Sequence, residues 1–394
     1  MRQEMENKLP WGRLTGIRPV KRANVFLSQG YTPMEAQELF RKEFGADEAR
    51  SKRVVDIAMR ENRLLETAYP DGIGLYIGIP FCPSRCVYCS FISFSVEKSA
   101  QLMVPYLEAL EKEIIAGAQI VKNLKKRVES VYIGGGTPTT LSADQLNRLF
   151  EVLYREFDLS HMKEFTVEAG RPDTVEADKL WVMKQWGVTR ISLNPQSMNQ
   201  EILDKIGRRH SPEDIISAFH LARERGFEHI NMDVIAGLPD ETYLQFCHTL
   251  EELFRLDPEG ITVHTMSLKR AAVLTQNRED YDLTTQETVG KMLDYAWKRL
   301  EEQNYFPYYM YRQKNILGGY ENTGFAKEGK ECLYNIYIME ETQSVLSLGA
   351  GGSTKIVDGD RIERIFNVKE PTEYINRVEE MIARKQEIYT ILGG

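Results

Sequence analysis

Three cysteines stand close together in a chain that has few of them. Among 394 residues there are five cysteines, and Cys82, Cys86 and Cys89 form a C-x3-C-x2-C pattern in the segment I-P-F-C-P-S-R-C-V-Y-C. A disulfide framework is disfavoured because three clustered cysteines, an odd number, cannot cross-link so long a chain. A zinc site would need a fourth cysteine or histidine nearby, and none occurs elsewhere between residues 75 and 160. The pattern therefore predicts a metal cluster.

Three thiolates on one short loop suit a [4Fe–4S] cube with one open iron. Each thiolate holds one iron, and the fourth iron is left without a protein ligand. A cluster that only carries electrons would use four thiolates, whereas an open iron can bind the amino and carboxylate groups of S-adenosylmethionine. We therefore predict that Cys82, Cys86 and Cys89 are the metal ligands. The predicted cofactors are the [4Fe–4S] cluster and S-adenosyl-L-methionine.

The composition narrows the class of protein. The chain is 42% apolar, so it can bury a large core. Its net charge of −8 disfavours a general role in binding nucleic acid or anionic membranes. No apolar run approaches the ~18 residues of a membrane span, and the first ten residues lack the apolar segment of a signal peptide. Unpaired thiols and an oxygen-sensitive cluster indicate a reducing compartment. We expect a cytoplasmic protein with no nucleic-acid or membrane partner.

Strand-like and helix-like patterns alternate from residue 71 to 270. Six such βα units predict an α/β fold with a partial (β/α)6 barrel, short of the closed eight-stranded form. Residues 1–70 are predicted to form a helical extension, and residues 271–394 an α+β domain that covers the barrel. In the latter, residues 332–339 resemble a strand and residues 371–385 a helix. The six predicted strands lie near Leu75–Ile79, Val131–Ile133, Phe165–Val167, Arg190–Leu193, Ile230–Ile235 and Ile261–His264.

Polar groups and glycines fall where these strands end. The run G-G-G-T-P follows the second strand at 134–138, and Glu168, Gln196 and Asp233 end the next three strands. A glycine run is equally typical of a tight turn, and a single acid at a strand end is often a helix cap. In parallel barrels, however, the chemistry lies at the carboxyl ends of the strands. Three polar groups on successive strand ends beside a cysteine loop favour a binding site.

Basic residues outside the barrel allow two interpretations. Arg13, Arg18 and Lys21 form either a solvated surface or part of a site for an anionic substrate. Tyrosines at 305–311 precede Arg312 and Lys314, and this region is either core or a wall for a flat, carboxylate-bearing ligand.

Three further residues are predicted to be structural. His264 ends the sixth strand, where a lone histidine is more often a hydrogen-bonding structural residue than a catalyst. Cys247 and Cys332 are predicted to be inert core thiols.

Together these residues resemble a radical S-adenosylmethionine enzyme of the oxygen-independent coproporphyrinogen III oxidase branch. The branch shows Y-x-x-I-P-F-C (here 76–82), GGGTP (134–138) and GLP (237–239), with an acid, a glutamine, an arginine and an Asp at the positions of Glu168, Gln196, Arg208 and Asp233. P-W-G-x-L-T-G-x-R-P-x-K at 10–21, Y-R-Q-K-N at 311–315 and G-A-G-G-S at 349–353 are similar to the HemZ-type coproporphyrinogen dehydrogenases. Members of that group usually carry a further N-terminal segment, so we expect a short form or a truncation.

The resemblance implies roles for individual residues. Tyr88 would lie against the adenine, and Gln196 and Asp233 would hold the ribose hydroxyls. Tyr76 would be a catalytic and cofactor-binding residue, and Arg312 and Lys314 would serve the substrate. The expected contacts to the methionyl group are Gly135, Gly136, Thr137, Glu168 and Arg208.

The resemblance also implies a mechanism. A low-potential donor such as flavodoxin or ferredoxin reduces the cluster, which cleaves S-adenosylmethionine to methionine and a 5′-deoxyadenosyl radical. The radical takes a β-hydrogen from a propionate of coproporphyrinogen III. Loss of CO2 and an electron then leaves a vinyl group, and two rounds give protoporphyrinogen IX.

Departures from the branch pattern keep other functions open. Gly78 stands where the oxidases have a histidine, and Phe91 where they have a fourth cysteine. Heme chaperones of the same branch carry H-N-x-x-Y-W, whereas residues 334–339 here read Y-N-I-Y-I-M. The missing histidine disfavours heme delivery. The alternatives are a heme-binding chaperone and a radical enzyme acting on another tetrapyrrole, such as a heme-opening methyltransferase.

Replacing Cys86 with Ala is expected to abolish both the iron–sulfur absorbance and the cleavage of S-adenosylmethionine, because the loop would lose one of three cluster ligands. Visible absorbance of the reconstituted protein and release of 5′-deoxyadenosine measure the two losses. A variant that retains both properties would overturn the cluster assignment.

Overall fold

The structure is a computed structural model that describes residues 10–89, 94–269 and 272–392. Phe91, one of the departures noted above, lies outside the described residues. The strands are β1 (Gly72–Ile79), β2 (Phe81–Cys82), β3 (Phe94–Ser95), β4 (Arg127–Gly135), β5 (Glu164–Glu168), β6 (Arg190–Gln196), β7 (Ile230–Ala236), β8 (Gly260–Thr265), β9 (Phe306–Tyr311), β10 (Asn322–Ala326), β11 (Ser344–Leu348), β12 (Ser353–Asp358) and β13 (Arg361–Phe366).

The α-helices fall mainly between the strands of the barrel and in the N-terminal extension. They are α1 (Pro19–Ser28), α2 (Pro33–Phe44), α3 (Glu48–Leu65), α4 (Val96–Ser99), α5 (Met103–Asn123), α6 (Ala143–Glu156), α7 (Ala177–Gln185), α8 (Gln200–Lys205), α9 (Pro212–Glu224), α10 (Tyr243–Leu256), α11 (Val273–Gln276), α12 (Gln286–Glu302), α13 (Leu333–Glu340), α14 (Pro371–Asn376), α15 (Val378–Lys385) and α16 (Glu387–Ile391). None of these helices combines the length and the apolar character needed to cross a bilayer.

One sheet organises the molecule. Its strand order is β13-β12-β11-β1-β4-β5-β6-β7-β8-β10-β9. The six central strands, β1 and β4 to β8, run parallel to one another and are connected by helices, which confirms the partial (β/α)6 barrel. The C-terminal region extends both edges of this sheet: β11 adds parallel to β1, and β10 adds antiparallel to β8. The predicted domain boundaries at residues 70 and 270 stay predictions.

Local sequence explains why the barrel helices begin where they do. Ser142 and Gln145 form a capping box at the start of α6, in which the serine side chain accepts from the Gln145 amide and the glutamine side chain accepts from the Ser142 amide. Ser211 and Asp214 form the same arrangement before α9, with Pro212 at the first helical position. Such caps satisfy amides that a helix start otherwise leaves unpaired. The sequence patterns Ser-x-x-Gln at 142–145 and Ser-Pro at 211–212 are typical of such helix starts.

Two secondary-structure predictions in the C-terminal region are wrong. Residues 333–340 form helix α13 rather than a strand, because the carboxylate of Glu164 on β5 accepts hydrogen bonds from the amides of Leu333 (2.8 Å) and Tyr334 (3.3 Å) at the helix start. A short apolar run does not reveal whether its apolar residues repeat with the period of a helix or of a strand, so the sequence could not separate these two structures. The predicted single helix from residue 371 to 385 is broken near Arg377, where α14 ends and α15 begins.

A buried ion pair joins the C-terminal helices to the barrel near the cysteine loop. Lys385 Nζ lies 2.5 Å from Glu113 Oε1, and both side chains are at most 1% exposed. Glu113 also accepts from the Gly349 amide at 2.7 Å. Beside this pair, the Tyr106 hydroxyl donates to Gly78 O at 2.6 Å and accepts from the amide of residue 350 at 2.9 Å. The network therefore fixes the carboxyl end of β1, from which the cysteine loop departs.

Lys385→Met is expected to lower the free energy of unfolding by about 3–5 kcal/mol, because it leaves the Glu113 carboxylate buried without its cation. The matched control is Lys291→Met, which removes an exposed lysine that pairs with Glu287 at 2.7 Å and should change stability by about 0.5 kcal/mol or less. Chemical denaturation of both variants measures the difference. Equal effects would show that the buried pair contributes no more than a surface pair.

Candidate active site

A cavity of about 520 Å3 lies at the carboxyl edge of the parallel strands. All three cysteines of the triad line it, together with polar side chains from the strand ends and residues from the C-terminal region. Of the residues predicted from the sequence, it brings together Cys82, Cys86, Cys89, Tyr88, Gly135, Gly136, Thr137, Glu168, Gln196, Arg208 and Asp233.

The cysteine loop is held against the glycine run by backbone hydrogen bonds. The Gly136 amide donates to Ile79 O and the Thr137 amide to Phe81 O, both at 2.7 Å. A Cβ at Gly136 would lie 2.5 Å from Phe81 O, so any other residue would push the two segments apart. Gly135 has a φ of +112°, which a side chain would strain. The glycine run thus allows the close approach that places Thr137 Oγ1 3.4 Å from Cys82 Sγ.

The arrangement of the thiols fits a cluster. Cys86 is buried, while Cys82 and Cys89 are half-buried, and all three face the same cavity. In the parts of the chain that the structure describes, no three cysteine, histidine or acidic side chains converge as they would around a single ion. A [4Fe–4S] cube takes each thiolate on a different iron, so its ligands need not converge on one point. The donor set and its spread therefore fit the cube.

The loop that carries the cysteines is anchored by an arginine that sequence reasoning missed. Arg171 donates to Ser84 Oγ at 3.0 Å and pairs with both carboxylate oxygens of Asp173 at 3.0 Å each. Ser84 in turn donates to Gly207 O at 3.1 Å. On the same side, the Val87 amide donates to the backbone of residue 206. These bonds tie the loop to the barrel at a second place.

Glu168 lies at the floor of the cavity in a low-dielectric position. The Tyr132 hydroxyl donates to its Oε1 at 2.7 Å. Burial, together with the nearby negative charge of Asp233, raises the pKa of Glu168 to about 7. A Cβ at Gly134 would lie 2.9 Å from the carboxyl carbon of Glu168, so this glycine makes room for the acid. The carboxyl can accept from a ligand ammonium once it is ionised.

Asp233 lies in a hydrogen-bonded network and stays ionised. Its Oδ1 accepts from Asn231 Nδ2 at 2.7 Å, and its Oδ2 lies 3.5 Å from His264 Nε2. Burial alone would raise the pKa of Asp233. The hydrogen bond and the charge of His264, together with hydrogen bonds from Asn231 and Thr262, outweigh burial and lower this pKa overall. Asn231 also donates to Ser192 Oγ at 3.0 Å. The result is a fixed acceptor for ligand hydroxyls.

Gln196 offers an unused acceptor to the cavity. It is buried and its φ is +67°, at the point where the pairing of β6 with β7 becomes irregular. Among the described residues its Oε1 has no hydrogen-bond partner. A buried acceptor without a partner destabilises the protein unless a ligand or water donates to it. The predicted ribose contact at this position therefore fits the chemistry present.

Arg208 holds the far side of the cofactor pocket. Its guanidinium donates to the backbone carbonyls of Gly170 (3.3 Å) and Asn194, and lies 3.3 Å from the Tyr88 hydroxyl. Tyr88 is thereby fixed beside the strand ends, where it can lie against a planar ring. Gly170 follows the end of β5, and Asn194 lies in β6 where its pairing with β7 becomes irregular. The arginine therefore joins these two strands to the cysteine loop.

The structure places three predicted substrate or catalytic residues outside the lining of this cavity. Tyr76 lies beside the stacked pair Tyr132 and Tyr334, at 6.1 and 6.3 Å between ring centroids, and burial raises its pKa well above the usual range. The Arg312 guanidinium donates to the backbone carbonyls of residues 14 (2.8 Å) and 319 (3.2 Å). Lys314 is exposed. Arg312 therefore fastens the N-terminal extension, and its guanidinium is already in use.

The N-terminal basic residues also lie elsewhere. Arg18 and Lys21 both pair with Glu341, the latter at 3.2 Å, and line a separate cavity of about 290 Å3. Arg13 donates to the backbone carbonyl of Glu43 at 2.9 Å. These contacts are structural ones within the described residues and do not reach the cysteine-lined cavity.

Several lining residues were not predicted, although the sequence carried a signal for those on the strands. These residues alternate along each strand, as the inward-facing positions of a barrel do. Polar residues at every second position beside Gln196 and Asp233 therefore indicate the same face of the sheet. The residues on the C-terminal elements had no such signal. Tyr309 and Tyr311 belong to the tyrosine run for which a ligand wall was one of two interpretations. The missed residues include Ser192, Asn194, Asn231, Thr262, Lys269, Gln313, Asn322, Asn335 and Met339.

Gly78 is explained by its neighbours. A Cβ at this position would lie 3.3 Å from the carbonyl oxygen of Ala350, and the Gly78 carbonyl already accepts from Tyr106. A histidine here, as in the oxidase pattern, would require the turn at 349–352 to shift. His264, by contrast, lies at the cavity, with Nδ1 3.5 Å from the Tyr311 hydroxyl. Cys332 is buried with its Sγ 3.1 Å from Glu164 Oε1, as expected of a core thiol.

Comparison with known proteins agrees with this geometry. The model of the Radical SAM superfamily matches residues 76–253. The "Oxygen-independent coproporphyrinogen-III oxidase-like protein HemZ" of Bacillus subtilis is 40% identical over 374 residues, which cover 94% of this chain and 75% of that protein. The chain belongs to the HemN/HemZ/HemW family of radical SAM proteins.

Other members of this family are similar over most of the chain. The heme chaperone HemW of Bacillus subtilis is 33% identical over 308 residues, covering 77% of this chain and 76% of that protein. The solved structure of the radical SAM enzyme coproporphyrinogen III oxidase (HemN) from Escherichia coli superposes with a TM-score of 0.64 at 25% identity, covering 82% of this chain and 73% of that one. As a radical SAM protein, the chain uses a [4Fe–4S] cluster and S-adenosylmethionine.

The affinity for S-adenosylmethionine is expected to rise about tenfold between pH 6 and pH 8. With a pKa of about 7, Glu168 is mostly protonated at pH 6 and mostly ionised at pH 8, and only the carboxylate accepts fully from the methionyl amino group. Calorimetric titration of the reconstituted protein under anaerobic conditions measures this. Glu168→Gln should bind more weakly and with a flat pH profile. A Gln variant that keeps the slope would place the titrating group elsewhere.

Proposed function

We propose that this chain is a radical SAM oxidoreductase of anaerobic heme biosynthesis that converts two propionates of coproporphyrinogen III to vinyl groups. The observation that carries the proposal is the shape of the cysteine-lined cavity. It extends from the cofactor residues on the strand ends to an aromatic and polar wall formed by Tyr309, Tyr311 and Asn335. Such a wall suits a flat ligand with polar edges. The similarity to HemZ supports the same substrate class.

The residues have distinct roles in this proposal. Cys82, Cys86 and Cys89 hold the cluster, whose chemistry when bound is the one-electron cleavage of S-adenosylmethionine that initiates hydrogen abstraction. Glu168 would orient the methionyl amino group, and Gln196 would accept from a ribose hydroxyl. Contacts at both ends of the cofactor would restrict the orientations in which it meets the substrate.

Asp233, Tyr88 and Arg208 complete the cofactor pocket in the proposal. Asp233 is held ionised by its neighbours and accepts from the second ribose hydroxyl. Tyr88, positioned by Arg208, covers the adenine. Gly135, Gly136 and Thr137 present backbone and hydroxyl groups to the methionyl moiety. Tyr76 supports this pocket through the ring of Tyr132, which bonds Glu168.

The proposal includes a reducing, cytoplasmic setting and a redox partner. Neither the cluster nor the free thiols would persist in an oxidising compartment. A low-potential carrier such as flavodoxin or ferredoxin supplies the electron that starts each cycle.

Heme binding without decarboxylation is the second candidate. It is favoured by the 33% identity to the heme chaperone HemW of Bacillus subtilis. It is disfavoured by the segment aligned with the chaperone motif, in which Tyr334 takes the histidine position and is buried in a tyrosine stack. Stoichiometric heme binding by the cluster-loaded protein, without turnover of coproporphyrinogen III, would support the chaperone.

The deciding experiment is an anaerobic assay of reconstituted protein with a strong reductant, S-adenosylmethionine and coproporphyrinogen III. Mass spectrometry should show the successive loss of two CO2 units, matched by 5′-deoxyadenosine. The Cys86→Ala protein is the control for non-enzymatic decay. Deoxyadenosine without loss of CO2 would contradict the proposed substrate and direct the search to another tetrapyrrole, starting with heme.

A further inference from the structure

The charged groups that line the cavity differ in whether they already have partners. Arg171 is paired with Asp173, and Arg208 is bonded to backbone carbonyls and Tyr88. Asp233 is accompanied by His264. Lys269 also lines the cavity, yet within the described residues its ammonium has neither an ion pair nor a hydrogen bond. Its whole ammonium group is therefore available to a ligand, whereas Arg208 has only its buried Nε without a hydrogen-bond partner among the described residues.

The surroundings of Lys269 are such that an anionic ligand would stabilise its ammonium group. The side chain is half-buried, and burial lowers the pKa of its ammonium. A cation that has lost part of its hydration without gaining an acid is destabilised, and an arriving carboxylate reverses this loss. The lysine is near the carboxyl end of β8, on the segment whose Leu268 amide donates to Asn315 O at 2.9 Å. This bond ties the segment to the C-terminal wall.

A second unpaired donor faces the same cavity. Asn322 is 1% exposed, and its Oδ1 accepts from the Thr265 amide at 2.8 Å. Since a backbone amide can only donate, this bond fixes which end of the side chain is the oxygen. Its Nδ2 then has no hydrogen-bond partner among the described residues, although the atom is buried. A buried donor in this condition requires an acceptor from a ligand or water.

The two donors lie on the substrate side of the cavity. Asn322 pairs with Tyr311 across β10 and β9, and Thr265 is four residues before Lys269. Tyr309 and Tyr311 are stacked at 6.3 Å between ring centroids. Gln313 Nε2 lies 3.4 Å from the Tyr311 hydroxyl. This end of the cavity therefore combines flat aromatic surface with donors at its edge, opposite the cysteine loop.

We propose that Lys269 is the residue that binds a substrate carboxylate, with the Asn322 amide donating to an acceptor on the same substrate. This inference rests on the proposed function and deepens it: the carboxylate is a propionate of the tetrapyrrole. It replaces Arg312 and Lys314, which the sequence predicted for this role. The ammonium pairs with the propionate as a charge-assisted hydrogen bond, so the flat ring is held by its edge against the tyrosine wall.

Binding of stable probes to the reconstituted protein, loaded with cluster and S-adenosylmethionine, tests the inference without turnover. The probes are coproporphyrin III, its tetramethyl ester and heme, and the readouts are porphyrin absorbance and fluorescence. Lys269→Met keeps the length of the side chain and should weaken coproporphyrin III binding at least about tenfold, which is the effect of losing about 1.4 kcal/mol. Lys269→Arg should restore most of the affinity. Lys298→Met, at an exposed position on α12, is the matched control.

The ester separates an electrostatic contact from a change in fold. It should bind the unaltered protein and Lys269→Met equally weakly, while the control Lys298→Met should bind coproporphyrin III as tightly as the unaltered protein does. Unchanged affinity of Lys269→Met for the free acids would overturn the inference and leave the proposed function standing. Lysine-dependent binding of heme, with no binding of coproporphyrin III, would support the carboxylate contact and contradict the proposed substrate. Failure of the unaltered protein to bind any free-acid probe would overturn both.

Discussion

Two backbone hydrogen bonds, from Gly136 to Ile79 and from Thr137 to Phe81, determine where the three thiols lie. They join the loop that leaves β1 to the loop that leaves β4, and they exist only because residue 136 has no side chain. A cluster with one open iron is useful only when that iron faces a ligand pocket. These bonds, with the Arg171 anchor on the opposite side, fix the loop over the strand ends and so give the thiols a common direction.

The barrel interior is polar at its carboxyl end, and most of that polarity is internally satisfied. Asp233, Asn231 and Ser192 form one continuous network, and Glu168 is bonded to Tyr132. The exceptions are informative because a folded protein seldom leaves buried donors or acceptors unpaired. Among the described residues, Gln196 Oε1, Arg208 Nε and Asn322 Nδ2 are such exceptions in the lining of the cavity. They mark places where the cavity depends on a bound molecule to complete its hydrogen bonding.

The sequence predicted the barrel because its signals are local and repeated. Each strand and helix carries its own period, the capping boxes at Ser142 and Ser211 mark helix starts, and parallel strands place their ends at one edge. The same rule brought Glu168, Gln196 and Asp233 to one cavity, and their roles toward a cofactor stay predictions. The C-terminal region was predicted less well because its contacts depend on distant partners: Glu164, far away in sequence, initiates α13, and Arg312 is held by carbonyls of the N-terminal extension. No local pattern reveals that both terminal nitrogens of Arg312 already donate to backbone carbonyls.

The pairing of β11 with β1 has a consequence for how the protein is made. The edge of β1 is a row of backbone donors and acceptors, and its partner on that side is Ser344–Leu348, close to the end of the chain. During synthesis the first barrel strand therefore emerges long before the strand that covers its outer edge. An open edge next to the apolar core of the barrel invites pairing with other chains. We therefore expect newly made protein to depend on chaperones until Ser344–Leu348 has been synthesised and has paired with β1.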